Sequence, residues 1–214
     1  MDNKIFVISF QRTGTTSTGE FFKKSGYKVA DYWVSRKLNW TPQWFDKNYE
    51  LIFNSPEFIN NEVFEDDPWW CGNFYKYLFY RFPSSKFILI ERDANKWFDS
   101  MVSHSNGKSL GNTYIHSYLY QRVNEYNSLN MPNDILIHDN ALPLNENYRT
   151  HYTNIYKNKN LEIKHFFKRN DLPHSSRLIS LRLEDSNKWD KLTSYFNINS
   201  SPTEDVWVGA NPNK

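Results

Sequence analysis

The chain has 214 residues, a net charge of +2 and 18% aromatic residues; that length suits one α/β domain with a full core and is short for two. The near-balanced charge, with no basic run of five, gives no footing for nucleic acid, and a single cysteine, Cys71, excludes a disulfide framework and a cysteine-built metal site. No apolar run approaches the ~20 residues of a membrane helix, and the four apolar residues after Lys4 are too short for a signal segment, so the chain reads as soluble, cytoplasmic and without an anchor.

In chain order, the β-branched and aromatic run Ile5-Phe6-Val7-Ile8 predicts a strand that empties into Ser9-Phe10-Gln11-Arg12-Thr13-Gly14-Thr15-Thr16-Ser17. A short helix follows with Phe21 and Phe22 on its apolar face. Gly26 is its C′ residue, and Tyr27–Ala30 forms a second strand. Thr41-Pro42 predicts an N-cap and first helical proline for a helix to about Glu50. Cys71, among Trp69, Trp70 and Phe74, reads as a buried inert thiol. Phe74, Tyr77, Leu78 and Arg81/Phe82 recur at helical spacing over Asn73–Phe82 until Pro83 stops the pattern. Lys86–Glu91 is a buried-strand run ending at Arg92, followed by a helix over Asn95–Ser105. Further on, the pattern predicts one long helix over Tyr114–Leu129 and a loop over 130–148. A helix over Asn158–Lys168 and a last strand over 177–183 follow. Ser186 is read as the cap of a final helix to Phe196, and the tail from Asn197 as a surface strap. Strands alternating with helices predict a parallel sheet with right-handed crossovers.

The first loop has the form of a phosphate cradle. Amides at a helix start lack intrahelical acceptors, and the helix dipole favours an anion there. Set against the ATP-type pattern G-x-x-x-x-G-K-[ST], Ser9 replaces the first glycine, Gly14 matches the second and Thr16 matches the hydroxyl residue. Thr15 stands at the lysine position, and Arg12 supplies a cation two residues before the glycine. The loop therefore suits an anion other than a Mg-nucleoside triphosphate. Arg92 stands at the carboxyl end of its strand, where open α/β sheets bind ligands. Ser100 follows eight residues later on a helix. A planar arginine fork and a serine donor can converge on one phosphate.

Gln11–Ser17 together with Phe87–Asp93 and Ser100 resembles the sulfotransferases that use 3′-phosphoadenosine 5′-phosphosulfate (PAPS). Phe64-Glu65-Asp66-Asp67-Pro68, and Arg177–Glu184 followed by Trp189-Asp190-Lys191-Leu192 and Phe196, are similar to a bacterial and viral-type branch. The resemblance implies a P-loop-like fold of three layers around a central parallel sheet, spanning residues 1–214 as one domain. It implies that Arg12, Thr13, Gly14, Thr15, Thr16 and Ser17 hold the 5′-phosphosulfate and that Arg92 and Ser100 hold the 3′-phosphate. Adenosine 3′,5′-bisphosphate would be the product. Two departures stand out. Arg12 occupies a position where many members carry lysine, so it can stabilise charge but not donate a proton. The C-terminal R-K-G-x-x-G segment is absent, with Lys157, Lys159, Lys164 and Arg169 nearby as substitutes.

Sulfuryl transfer resembles phosphoryl transfer, so positioning and charge stabilisation dominate. A sulfonate carries one negative charge, and no metal is expected. The acceptor hydroxyl, on a saccharide or small molecule, needs a base. Asp66 is chosen because the resemblance lands on it and because alternation from Phe64 in an extended segment puts both on the buried side. Glu62, Glu65 and Asp67 remain alternatives, and His104, four residues beyond Ser100, is a further candidate. Trp33, Trp40, Trp44, Trp69 and Trp70 read mainly as core, with a sugar or aryl platform as the other role. Two rival functions follow from the same residues. One is a P-loop small-molecule kinase with Glu91 on Mg, and the other is a non-catalytic nucleotide or glycan binder.

Overall fold

The computed structural model describes residues 3–105, 114–129, 142–171 and 176–199. The predicted strap from Asn197 lies almost wholly outside them, as does most of the predicted 130–148 loop. The described residues form two compact units, one running to Glu91 and resuming at Lys164, the other spanning Arg92–Ile163.

The first unit opens with β1 (Ile5–Val7), α1 (Thr15–Lys24), β2 (Val29–Ala30), α2 (Tyr32–Lys37) and α3 (Trp40–Phe45). It continues through α4 (Tyr49–Phe53), α5 (Pro56–Asn60), β3 (Val63–Phe64), α6 (Phe74–Arg81) and β4 (Lys86–Glu91). The second unit holds α7 (Ala94–Ser105), α8 (Tyr114–Leu119), α9 (Val123–Ser128), a 3₁₀ turn at Glu146–Tyr148 and the larger part of α10 (Arg149–Asn170). The chain ends its described part in the first unit with β5 (Leu178–Arg182) and α11 (Lys188–Phe196).

All strand pairs are parallel, in the order β2-β3-β1-β4-β5. The α/β class with a central parallel sheet is therefore as expected. Side chains alternate across the sheet with a period of two, and the two faces carry different chemistry. One face is aliphatic: Ile5, Val7, Val63, Ile88, Ile90 and Leu181 pack against Phe21 and Phe22 of α1 and Leu192 of α11. The other is aromatic. Phe6 lies 5.4 Å from Phe64, 5.3 Å from Trp69 and 5.7 Å from Phe87, and Phe87 lies 4.9 Å from Phe167 of α10. Each fully buried phenylalanine contributes about 1.5–3 kcal/mol, so both faces are strongly held and the strand ends are fixed.

Several predicted boundaries move for local reasons. The helix expected to be capped at Thr41 starts two residues earlier, behind Asn39, which is left-handed at φ 53, and a left-handed Lys47 (φ 61) separates α3 from α4. The single helix predicted over Tyr114–Leu129 is two. Left-handed Gln121 (φ 56) closes α8, with the Arg122 amide reaching back to the Ser117 carbonyl at 2.6 Å. The final helix is capped at Asn187 rather than Ser186. Conversely, α10 begins at Arg149, well before the expected Asn158. Its buried stripe Tyr152, Tyr156, Asn160, Ile163 and Phe167 includes polar residues that mask the period.

Candidate active site

The chain leaves β1 into a loop pinned at both ends. The Ser9 hydroxyl accepts the Ile90 amide at 2.6 Å and donates to the Ile88 carbonyl at 3.3 Å, standing in for a rung of the ladder to β4. The Thr13 hydroxyl donates to the Phe10 carbonyl at 2.6 Å and closes the turn. Between them Arg12 is held at φ 67, a left-handed conformation that costs a non-glycine residue on the order of 1–3 kcal/mol and clusters at functional sites. Gly14, at φ 92, precedes α1 without any side-chain cap. A Cβ there would lie 2.8 Å from Leu183 Cδ1 and push the end of that side chain aside, and the left-handed backbone favours glycine. The Thr18 amide bonds the Gly14 carbonyl at 3.0 Å, which leaves the amides of Thr15, Thr16 and Ser17 as the orphan donors of the helix start. Thr15 is buried and Thr16 exposed. This is the helix start where the sequence predicts a phosphate cradle, and it has no side-chain cap.

The segment after β3 lies against this loop. Phe10 packs 4.9 Å from Trp70, whose indole N–H donates to Asp67 Oδ1. The Thr15 hydroxyl lies 3.5 Å from Asp66 Oδ2. Three consecutive carboxylates thus occupy three environments. Glu65 is 2% exposed, and burial, with the charges of Asp66 and Asp31, pushes it well above the usual carboxylate range. Asp67 is buried and raised by desolvation to about 6, with the Trp70 indole and Cys71 thiol opposing. Asp66 is partly exposed and borders the loop. The alternation argument for Asp66 does not hold, because Asp66 is left-handed (φ 71) and ends the extended stretch. Its approach to Thr15 comes from that turn. Cys71 is a buried free thiol, and Trp40 and Trp69 are fully buried while Trp33 is 67% exposed.

In the second unit, Arg92 is fixed through its backbone. Its amide donates to the Tyr156 hydroxyl at 2.7 Å, that hydroxyl donates to the Arg92 carbonyl at 3.2 Å, and Tyr156 stacks on Trp97 at 4.4 Å. Asp93 caps α7 by accepting the Asn95 and Lys96 amides, each at 3.0 Å. Ser100 and His104 follow one turn apart on α7, His104 exposed. Among the substitute cations, Lys164 is committed elsewhere: its ammonium lies 3.0 Å from both Glu91 oxygens, and Ser180 donates to Glu91 as well. Glu91, the residue to which a kinase would assign a metal-ligand role, thus carries a lysine and a serine here. Among the described residues, no group of three or more His, Cys, Asp or Glu could hold a metal ion, and no helix is long and apolar enough to cross a membrane.

A family model described as a sulfotransferase domain matches residues 4–204. The chain belongs to the sulfotransferase family. The match runs through both units and includes every candidate residue above. No curated protein matches the chain. Sequence reasoning missed Ser9 as the tie between the loop and β4, which a serine leaving a strand does not announce.

Proposed function

We propose that this sulfotransferase takes PAPS as donor and moves its sulfonate to an acceptor hydroxyl on a saccharide or small molecule, releasing adenosine 3′,5′-bisphosphate. The observation that carries the reading is the loop between β1 and α1. Its glycine holds a left-handed backbone, its helix start has no side-chain cap, and its arginine is held in a left-handed turn. These features fit the doubly charged 5′ end of the donor. Bound there, the donor supplies a sulfur–oxygen bond whose cleavage leaves charge on the bridging oxygen.

Each protein group then has a task. The amides of Gly14–Thr16 and the Arg12 guanidinium stabilise that developing charge, as an oxyanion hole does. The Thr13 amide and the hydroxyls of Thr16 and Ser17 supply further donors around the phosphosulfate, and Thr15 lies between that group and Asp66. Asp66 accepts the proton of the acceptor hydroxyl as its oxygen bonds to sulfur. Arg92 and Ser100 hold the 3′-phosphate, a contact equal in the ground and transition states. His104 is the other candidate for that base. No metal is required for a group of single charge.

The test is transfer of label from sulfur-labelled PAPS to a panel of saccharide and small-molecule hydroxyl acceptors, with and without EDTA. Labelled product that survives chelation is expected. Turnover lost on chelation and restored by Mg would overturn the metal-free mechanism.

A further inference from the structure

Glu65 has no part in the proposed chemistry, yet it is the most deeply placed acid of the segment. Its side chain lies under α1, and a Cβ on Gly19 would meet its Cγ at 3.2 Å. The Tyr32 amide at the start of α2 hydrogen-bonds to the carboxyl group. Oε2 is buried with no hydrogen-bond partner among the described residues. The charged groups that face it come from three elements. From α1 comes Lys23, already shared between Glu20 at 2.9 Å and Asp31 at 3.0 Å. From the start of α2 comes Asp31, and from its own segment Asp66. An ionised Glu65 would therefore sit desolvated beside two acids, with one cation that is otherwise engaged. Neutral carboxylic acid is the form this pocket accommodates.

We propose that Glu65 is a positioning residue that works as the protonated acid: it seats α1, and so the anion loop, on the end of β3, and it leaves Asp66 the ionised carboxylate beside Thr15. The second half rests on the reading of Asp66 as base. The first half does not. Were Glu65 ionised, Asp66 would share a site with a like charge and would hold its own proton more tightly. The linkage has a definite sign. A carboxyl whose folded pKa is raised contributes stability that is complete below its unfolded value and lost as pH rises through the folded one. Within that window each pH unit should lower the folding equilibrium constant about tenfold relative to a variant that cannot ionise.

Glu65→Gln keeps the shape and the acceptor for the Tyr32 amide. Its thermal midpoint should gain on wild type steadily as pH rises above the ordinary carboxylate range. Affinity for adenosine 3′,5′-bisphosphate and kcat at neutral pH should be retained. Carbon-13 carboxyl NMR of wild type gives the direct reading and needs no turnover, with Glu65 expected to titrate well above the ordinary value of about 4.3. Titration of Glu65 near that value, or parallel pH profiles for wild type and Glu65→Gln, would overturn the proposal. A folded Glu65→Gln that loses kcat as Asp66→Asn does would make Glu65 the base instead. If no PAPS turnover is found at all, the NMR and stability arms still decide the first half.

Discussion

The two edges of the sheet use charge in opposite ways. At the amino edge, Lys4 precedes β1 and Arg177 precedes β5, and both are saturated with chain carbonyls. Lys4 donates to Phe58 at 2.8 Å, to Ile59 at 3.0 Å and to Asn61, covering the end of α5. Arg177 donates to the carbonyls of Ser85 at 2.9 Å, Phe79 at 3.1 Å and Phe82 at 2.7 Å, with its guanidinium 4.0 Å from the Phe79 ring centre. These cations complete the last turns of helices, whose carbonyls lack partners and whose dipole favours positive charge. At the carboxyl edge the features are of another kind. The start of α1 is uncapped, Arg12 is held in a left-handed turn, and a partly exposed carboxylate lies by Thr15. An arginine before a parallel strand reads as structure, and one after it reads as a site.

Substitutions at the two edges should separate accordingly. Arg12→Ala should lower kcat by roughly 10²-fold or more, the usual cost of a lost oxyanion donor, with the thermal midpoint nearly unchanged. Arg177→Ala should do the reverse. It strips the guanidinium from the Phe79 and Ser85 carbonyls, while that of Phe82 keeps the Ser85 amide and hydroxyl, and it should cost about 1–3 kcal/mol of stability in a denaturant titration, with kcat per folded molecule retained. A kcat defect in folded Arg177→Ala would erase the contrast between the edges.

Within the carboxyl edge, Asp66→Asn should lower kcat by roughly 10²-fold while adenosine 3′,5′-bisphosphate still binds. Full turnover in that variant would move the base to another group, His104 among them. Arg92→Ala should act mainly on the KM for PAPS, because a contact equal in ground and transition states leaves kcat alone. Initial-rate kinetics at saturating donor separate the two effects.

The smallest effect concerns Asp67. Burial raises it to about 6, above its ordinary value of about 3.9, so its contribution to stability is complete below about pH 4 and lost as pH rises through 6. Asp67→Asn should flatten the thermal midpoint between those values. An unaltered slope would show that Asp67 is ionised in the folded protein at lower pH than its burial implies.

Legibility followed the physics of each segment. The β1 loop and the β4 strand with Arg92 were readable because apolar runs end abruptly at residues of fixed chemistry. The period of α10 was hidden because Tyr152, Tyr156 and Asn160 fill a buried stripe usually held by aliphatics. The break between α8 and α9 rests on one left-handed residue, Gln121, which no periodicity reveals. Asp66 was reached through alternation, which its own backbone then broke. What a sequence pattern cannot carry is a positive φ at a residue other than glycine. Such residues mark the turns at Arg12 and Asp66, the two positions to which the proposed chemistry assigns the leaving group and the base.

The proposal turns on a donor that carries a 3′-phosphate, with Arg92 and Ser100 as the residues that recognise it. Calorimetric titration of adenosine 3′,5′-bisphosphate against AMP, on wild type and Arg92→Ala, tests it most directly. Wild type should bind the bisphosphate much more tightly than AMP, and Arg92→Ala should remove most of that preference. Equal affinities for the two ligands in wild type would contradict the account.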